Sequence, residues 1–260
     1  MTSVADYAFR GCENIKTVVM EDGNSELSLS SNGSNPLFAD CPLDSVYIGR
    51  NIFYETSAEY GYSPFYHNET LRTVVITDKE TEISDNEFYS CANLQSFKIG
   101  DGVTRFGNWA FSGCSSLKTL GFGTELQSIG KEAFSDCSAV TVIVSRTEIP
   151  PVCESQVLED INKWECTLYV PEGTSPDYQE ADQWKDFWYM EEGAPYVVIR
   201  GDVNGDEFVN MKDAIFVTNI ILGIEDATEA ADVNNDGKIN IQDVMFIVNY
   251  IKNGTFPDGE

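Results

Sequence analysis

Histidine is almost missing from this chain. The single copy, His67, has no partner at a fixed spacing, so no nucleophile–base pair of the hydrolase kind can be assembled around it. Cationic side chains are scarce as well: 16 Lys and Arg stand against 43 Asp and Glu in 260 residues, a formal net charge of −27. That deficit excludes nucleic acid and anionic membrane surfaces as partners, since both need Lys and Arg to offset phosphate charge. No stretch reaches the ~20 apolar residues of a membrane span. A Gly-rich phosphate loop, zinc-type His/Cys spacing and a long Ser/Thr/Pro tether are also lacking. Among so many acids, carboxylate pairs arise by chance, so counting them decides nothing about glycosidase chemistry. The reading is of a protein that is not an enzyme.

What is present is repetition. The segments Ala8-Phe9-Arg-Gly-Cys12, Leu37-Phe38-Ala-Asp-Cys41, Glu87-Phe88-Tyr-Ser-Cys91, Ala110-Phe111-Ser-Gly-Cys114 and Ala133-Phe134-Ser-Asp-Cys137 are one motif, and Phe65 heads another copy with Asn68 in the cysteine slot. From Phe65 the interval is 23 residues each time, and the two earlier intervals are longer, which places insertions near residues 21–35 and 50–62. Six residues after each late Phe stands an aliphatic residue (Leu71, Leu94, Leu117, Val140), followed by an alternating strand-like stretch. Five residues before the Phe stands another apolar residue (Ile83, Phe106, Ile129). A fixed period in the twenties with one strand per unit signifies a leucine-rich-repeat solenoid. Counting a degenerate unit around Val157 gives seven coils, a stack of roughly 30–35 Å at the usual strand spacing. Such short regular coils offer no deep catalytic pocket.

This Ala-Phe-x-x-Cys variant resembles the BspA-like leucine-rich repeats of gut and oral bacterial surface proteins. The resemblance extends through Leu168-Tyr-Val-Pro-Glu-Gly173 and Asp182-Gln-Trp184-Lys-Asp-Phe187, which look like a terminal strand and cap. Cys12, Cys41, Cys91, Cys114 and Cys137 share one slot, so an inward ladder of thiols donating weakly to carbonyls is expected. Cys153 and Cys166 lie outside it and are left either free or joined in a disulfide, which an extracellular setting allows. Trp164, Trp184, Phe187, Trp188 and Tyr189 cluster near the array's end, where they read as a cap over an open sheet edge or as an aromatic platform for sugar rings. The chain opens at Val4, midway through a repeat unit, so an export signal and earlier repeats are expected upstream, with Met1 an added start codon.

Two near-copies of one loop fill the last sixty residues. Asp202-Val-Asn204-Gly-Asp206-Glu-Phe-Val-Asn210-Met-Lys-Asp213 is followed thirty residues on by Asp232-Val-Asn234-Asn-Asp236-Gly-Lys-Ile-Asn240-Ile-Gln-Asp243. Oxygen side chains at positions one, three, five, nine and twelve of a tight loop are what a hard divalent cation needs, and calcium takes six to eight oxygens. Three carboxylates in each loop would repel one another without a cation. Val209 and Ile239, at position eight, are expected to point inward. Position twelve carries Asp where an EF-hand uses Glu, and each loop runs into an apolar helix, Ala214–Leu222 and Val244–Ile251, with Gly223 and Gly254 as stops.

Loop then helix, twice, resembles the type I dockerin family over residues 199–256. Dockerins are calcium-dependent plugs for cohesin modules on scaffold proteins of bacterial fibre-degrading complexes. The resemblance implies two calcium ions. The first would be held by Asp202, Asn204, Asp206, Asn210 and Asp213 with the carbonyl of Phe208. The second would be held by Asp232, Asn234, Asp236, Asn240 and Asp243 with the carbonyl of Lys238. Glu207 stands where position six needs a left-handed turn and loop two has Gly237, at a cost of order 1–2 kcal/mol, so the first site is expected to bind more weakly. The implied docking residues are Met211, Lys212, Asn219 and Ile220 with Ile241, Gln242, Asn249 and Tyr250.

The expected architecture is therefore α+β and multidomain: a BspA-like β-solenoid with its cap over 1–190, a short linker over 191–198 forming a close junction, and a small all-α dockerin with two calcium loop–helix repeats over 199–260. The expected function is a non-catalytic protein, secreted or at the bacterial surface. It docks to a cohesin of a scaffoldin, while the repeats bind a host protein or a glycan. A free-standing adhesin with a calcium-stabilised terminal domain is the alternative.

Overall fold

The computed structural model describes residues 2–30, 36–54, 63–193, 200–203, 209–253 and 256–257. Parts of both expected insertions and most of the expected linker fall outside these. The chain divides into two compact units, Met1–Ala194 and Pro195–Glu260.

The first unit is a parallel β-solenoid of about seven turns. Each full coil contributes one longer strand and one short strand. The longer ones are β2 (Thr17–Met20), β4 (Ser45–Ile48), β6 (Thr73–Ile76), β8 (Ser96–Ile99), β10 (Thr119–Phe122), β12 (Val142–Ser145), β14 (Thr167–Val170) and β15 (Tyr189–Glu192). The short ones are β1 (Ser3–Val4), β3 (Leu27–Leu29), β5 (Ile52–Phe53), β7 (Glu82–Ile83), β9 (Arg105–Phe106), β11 (Ser128–Ile129) and β13 (Val152–Cys153). Neighbours pair in parallel and in register, as Val46↔Val74↔Phe97 illustrates on the long face. Alternation along each strand sends Val74, Ile76, Phe97, Ile99, Leu120 and Phe122 inward.

The motif phenylalanines form a stacked column. Centroid distances run 5.0 Å for Phe9–Phe38, 5.3 Å for Phe38–Phe65, 5.2 Å for Phe65–Phe88, 5.0 Å for Phe88–Phe111 and 5.5 Å for Phe111–Phe134. Burying each ring contributes about 1.5–3 kcal/mol. Beside this column runs the thiol ladder. Cys91, Cys114 and Cys137 each donate at 3.3 Å to the carbonyl of the Phe one coil back, and Cys41 does so at 3.6 Å. Asn68 replaces the thiol with its Nδ2, which donates to the Cys41 carbonyl at 2.9 Å. Burial pushes the Cys91 and Cys137 thiols up to about 12. In the last coil the backbone N–H of Phe134 donates to Val157 O as that of Phe111 does to Ala133 O. Leu158 thus takes the Phe slot and Ile161 the cysteine slot.

Residues two before and two after the Phe slot adopt left-handed backbone, among them Asn86, Trp109, Glu132, His67, Ser90 and Asp136. His67 is therefore a turn residue, exposed and 3.2 Å from Glu69. Coil-to-coil approach is close after long and short strands alike, at Gly49 and Gly100 on the long face and at Gly107 on the short face, where a Cβ would lie 2.5 Å from Asp85 N. There the amide of Asn108 donates to Asp85 Oδ1 at 2.7 Å, and that of Lys131 to Asn108 Oδ1 at 2.8 Å.

Among the described residues each face has one break. The long face is continuous over β2-β4-β6-β8 and again over β10-β12-β14-β15, and the short face over β1-β3-β5 and β7-β9-β11-β13. At the β5/β7 seam, side chains replace the ladder. Ile52 N donates to Glu80 Oε2 at 3.0 Å, and Thr81 N donates to Asn51 Oδ1 at 2.9 Å. Buried Glu87 accepts from Ser84 N at 2.8 Å, while its Oε1 has no hydrogen-bond partner. Desolvation, then the neighbouring Glu87 charge, pushes Glu80 up to about 10; desolvation pushes Glu87 up to about 8.

The aromatic cluster at the array's end separates into two parts. Tyr178, on α1 (Ser175–Glu180), and Trp184 are fully buried and close the core. Trp184 Nε1 donates to Pro151 O at 2.8 Å, and Tyr178 lies 2.6 Å from both Ser145 Oγ and Thr147 Oγ1. Trp164 and Trp188 stay outside, 69% and 66% exposed. Cys153 and Cys166 are free thiols.

In the second unit, α2 (Met211–Ile221) and α3 (Ile241–Asn253) pack together over Val203, Ala214, Val217, Ala231, Val233, Ile247 and Phe256. Both helices start a turn earlier than the hydrophobic pattern alone places them, directly after Asn210 and Asn240. Arg200 donates through Nε to Val233 O at 2.7 Å and lies 4.7 Å over the Phe256 ring, which stacks on Tyr250 at 4.6 Å.

Candidate functional site

The loop before α3 is built by its own acidic and amide side chains. Asp232 Oδ1 accepts from Asp236 N at 3.0 Å and Oδ2 from Gly237 N at 2.8 Å. Asn234 Oδ1 accepts from Asp236 N at 2.9 Å, and Asp236 Oδ1 from Lys238 N at 2.9 Å. Gly237 supplies the left-handed residue at position six, with φ of 81°. Asp243 is fully buried at the first turn of α3. It accepts from Asn240 N at 2.8 Å and Asn234 N at 3.2 Å, and so ties the loop's start and end to the helix.

The first loop repeats this anchoring. Buried Asp213 accepts from Val203 N at 2.8 Å and Asn210 N at 2.8 Å, and Asn210 caps α2 by accepting from Lys212 N at 2.8 Å. Asp202 is buried as well. Asn204, Asp206 and Phe208, together with Glu207, lie outside the described residues.

The donor set fits a hard cation. Loop two gathers oxygens from Asp232, Asn234, Asp236, Asn240 and Asp243, and none of the ion pairs among the described residues involves its three carboxylates. Like charges at this spacing call for a counter-charge. Among the described residues no three acidic or thiol groups converge to metal-ligand distance; the loop's oxygens are turned onto its own amides.

The expected docking residues lie on the two helices. Met211 and Ile241, first residues of their helices, are 53% and 64% exposed, with Lys212 and Gln242 exposed beside them. Asn219 and Asn249 are half-buried, and Ile220 and Tyr250 pack partly into the unit's core. One turn on from Met211 and Ile241, at equivalent positions, Ile215 and Met245 are 56% and 59% exposed. These two were not among the expected docking residues, although they lie at i+4 from the helix-opening pair. Leu222 and Ile224 extend the exposed apolar surface of α2.

Comparison with known proteins accords with both units. The family model for the BspA-type leucine-rich repeat region matches in six copies over residues 1–60 and 38–153, and that for the dockerin type I domain matches residues 200–252. A leucine-rich repeat protein from Bacteroides ovatus is similar at 20% identity and TM-score 0.46, covering 75% of this chain and 46% of its own. A leucine-rich cell surface protein from Faecalibacterium prausnitzii is similar at 14% identity and TM-score 0.34, covering 73% and 63% respectively. This chain thus spans less than two thirds of the length of either. No curated protein matches it. Type I dockerin domains bind calcium, and both module families are non-catalytic. Such modules are typical of extracellular or surface bacterial proteins, and no helix among the described residues is long and apolar enough to cross a membrane. Over most of its length the chain belongs to the BspA-type leucine-rich repeat family, and it carries a type I dockerin domain at residues 200–252.

Proposed function

We propose that this protein is a non-catalytic extracellular component that docks through its second unit onto a cohesin of a bacterial scaffold protein, while the repeats display a surface for a protein or glycan ligand. The observation that carries the reading is the coupling of each oxygen-rich loop to an exposed apolar helix start. Asp213 and Asp243 are buried, hold the loop backbone and sit two residues from Met211 and Ile241. Anything that fixes the loops fixes those two helix faces.

Calcium, when bound, supplies the positive charge that lets the acids of one loop stand together. Asp232, Asn234, Asp236, Asn240 and Asp243 with the Lys238 carbonyl would hold one ion. Asp202, Asn204, Asp206, Asn210 and Asp213 with the Phe208 carbonyl would hold a second. Binding energy then becomes folding energy for α2 and α3. Met211, Ile215, Ile241 and Met245 supply apolar contact, and Lys212, Gln242, Asn219 and Asn249 supply polar contact around it.

A panel of cohesins probed by calorimetry in calcium and in EDTA tests this. Calcium-dependent binding that Ile215→Asp and Met245→Asp together abolish, with calcium affinity unchanged, is the expected result. Binding to none of the panel returns the chain to a free-standing adhesin.

A further inference from the structure

We infer that Trp164 and Trp188 form a binding platform for a neutral oligosaccharide chain at the C-terminal end of the repeat array. This deepens the display role proposed above and rests on it, but it is independent of docking.

The two indoles are the largest exposed apolar side chains among the described residues of the first unit. Their centroids lie 5.0 Å apart with planes tilted 31°, so each shields one face of the other and leaves the opposite face to solvent. Both are about two-thirds exposed, whereas Trp184, from the same stretch of sequence, is fully buried. The backbone fixes the pair: Trp188 N donates to Lys163 O at 3.0 Å, and Trp164 N to Asn162 Oδ1 at 3.2 Å. Tyr189, next in the chain, is 51% exposed at the start of β15, the last strand of the long face. The cap is complete without Trp164 and Trp188, because Tyr178, Trp184 and Phe187 already close the core. Large rings held rigidly outside a finished core await a partner.

The chemistry around the rings selects the partner. A protein hot spot mixes aromatic rings with aliphatic groups at a dry centre. Here Asn162, Glu165, Lys185 and Asp186, each within three residues of an indole along the chain, are exposed, as is Tyr189, and the aliphatic Leu168 is buried. Exposed aromatic faces with carboxylate and amide side chains close by in the chain suit a pyranose, whose C–H face would lie on an indole while its hydroxyls donate to those acceptors. Among these neighbours Glu165 and Asp186 outweigh Lys185, and the whole chain carries −27, which disfavours uronate-rich and sulfated glycans. Because the rings are already stacked, little rotamer freedom is lost on binding.

The test uses the full chain in calcium, titrated with cellohexaose, xylohexaose and mannohexaose, with polygalacturonate as the acidic comparison. Isothermal calorimetry and indole fluorescence read the outcome. Saturable binding of at least one neutral hexamer with Kd on the order of 0.1 mM is expected, weakened about ten-fold by Trp164→Ala and by Trp188→Ala. Circular dichroism should show both variants folded, and cohesin docking by the same variants should be unchanged, which separates failure here from failure of the docking reading. No binding of any neutral hexamer, equal binding of polygalacturonate, retained affinity in both variants, or a Trp164-dependent dimer in ultracentrifugation would each overturn the proposal.

Discussion

Replacing one buried acid should make the repeat unit more stable, and increasingly so as pH rises. Glu87 occupies the slot that Ala110 and Ala133 fill in the next two coils, is fully buried, and has one carboxyl oxygen without a hydrogen bond. Its folded pKa of about 8, and the value of about 10 for Glu80 beside it, lie above the value of 4.5 for the free side chain. The fold therefore favours the protonated forms. Their contribution is fully present below about pH 4.5 and is lost as pH rises, until the folded-state values are passed. Each pH unit in that window costs about 1.4 kcal/mol per group, so Glu87 alone removes about 4 kcal/mol between pH 5 and pH 8. Glu87→Gln keeps the shape and the acceptor for Ser84 N but has no proton to lose. Thermal unfolding in calcium, followed by the fluorescence of buried Trp184 at pH 5, 6.5 and 8, measures the difference. The variant should match the parent near pH 5 and exceed it by about 8–16 °C at pH 8, at 2–4 °C per kcal/mol for a domain of this size. Parallel pH profiles for the two proteins would refute the reasoning.

Three further outcomes are expected. Gly107→Ala drives a methyl against Asp85 N and should lower stability by about 1–3 kcal/mol, whereas Gly173→Ala, where a Cβ meets no neighbouring atom within 4 Å, bears only the backbone cost; denaturant midpoints of the pair decide it. Cys91, Cys114 and Cys137, with thiols raised by burial, should resist a thiol-reactive dye at pH 8 until the chain unfolds, and rapid labelling of the native protein would contradict the ladder. Asp243→Ala leaves the amides of Asn234 and Asn240 without their acceptor, so it should cost the second unit about 2–4 kcal/mol and cut helical circular dichroism even in saturating calcium.

The stacking register was plain in the sequence because a solenoid repeats one interface. The spacing of Phe65, Phe88, Phe111 and Phe134 sets which residues meet, and the thiols follow from the same slot. The two Asp- and Asn-rich loops were equally plain as a repeat, since their side-chain oxygens recur at fixed offsets along one short segment. Less was readable where burial depends on what lies across the chain. Trp184 and Trp188 are four residues apart and chemically alike, yet one closes the core and the other faces water, because only Trp184 reaches the carbonyl of Pro151. Glu87 gave a signal in hindsight: an acid in an alanine slot. Of the helix residues, Ile220 and Tyr250, which the sequence reading expected to dock, lean on the core, whereas Ile215 and Met245 are exposed. Helical periodicity places all four near the surface, and only the packing of α2 on α3 ranks them.

The two sheet breaks are not in the same place. The short face parts between β5 and β7 and the long face between β8 and β10, two coils further on, with the opposite face unbroken at each point. Like staggered joints in brickwork, this arrangement offers no single plane along which the array can shear. A pull along its axis must rupture a continuous row of strand pairing wherever it acts.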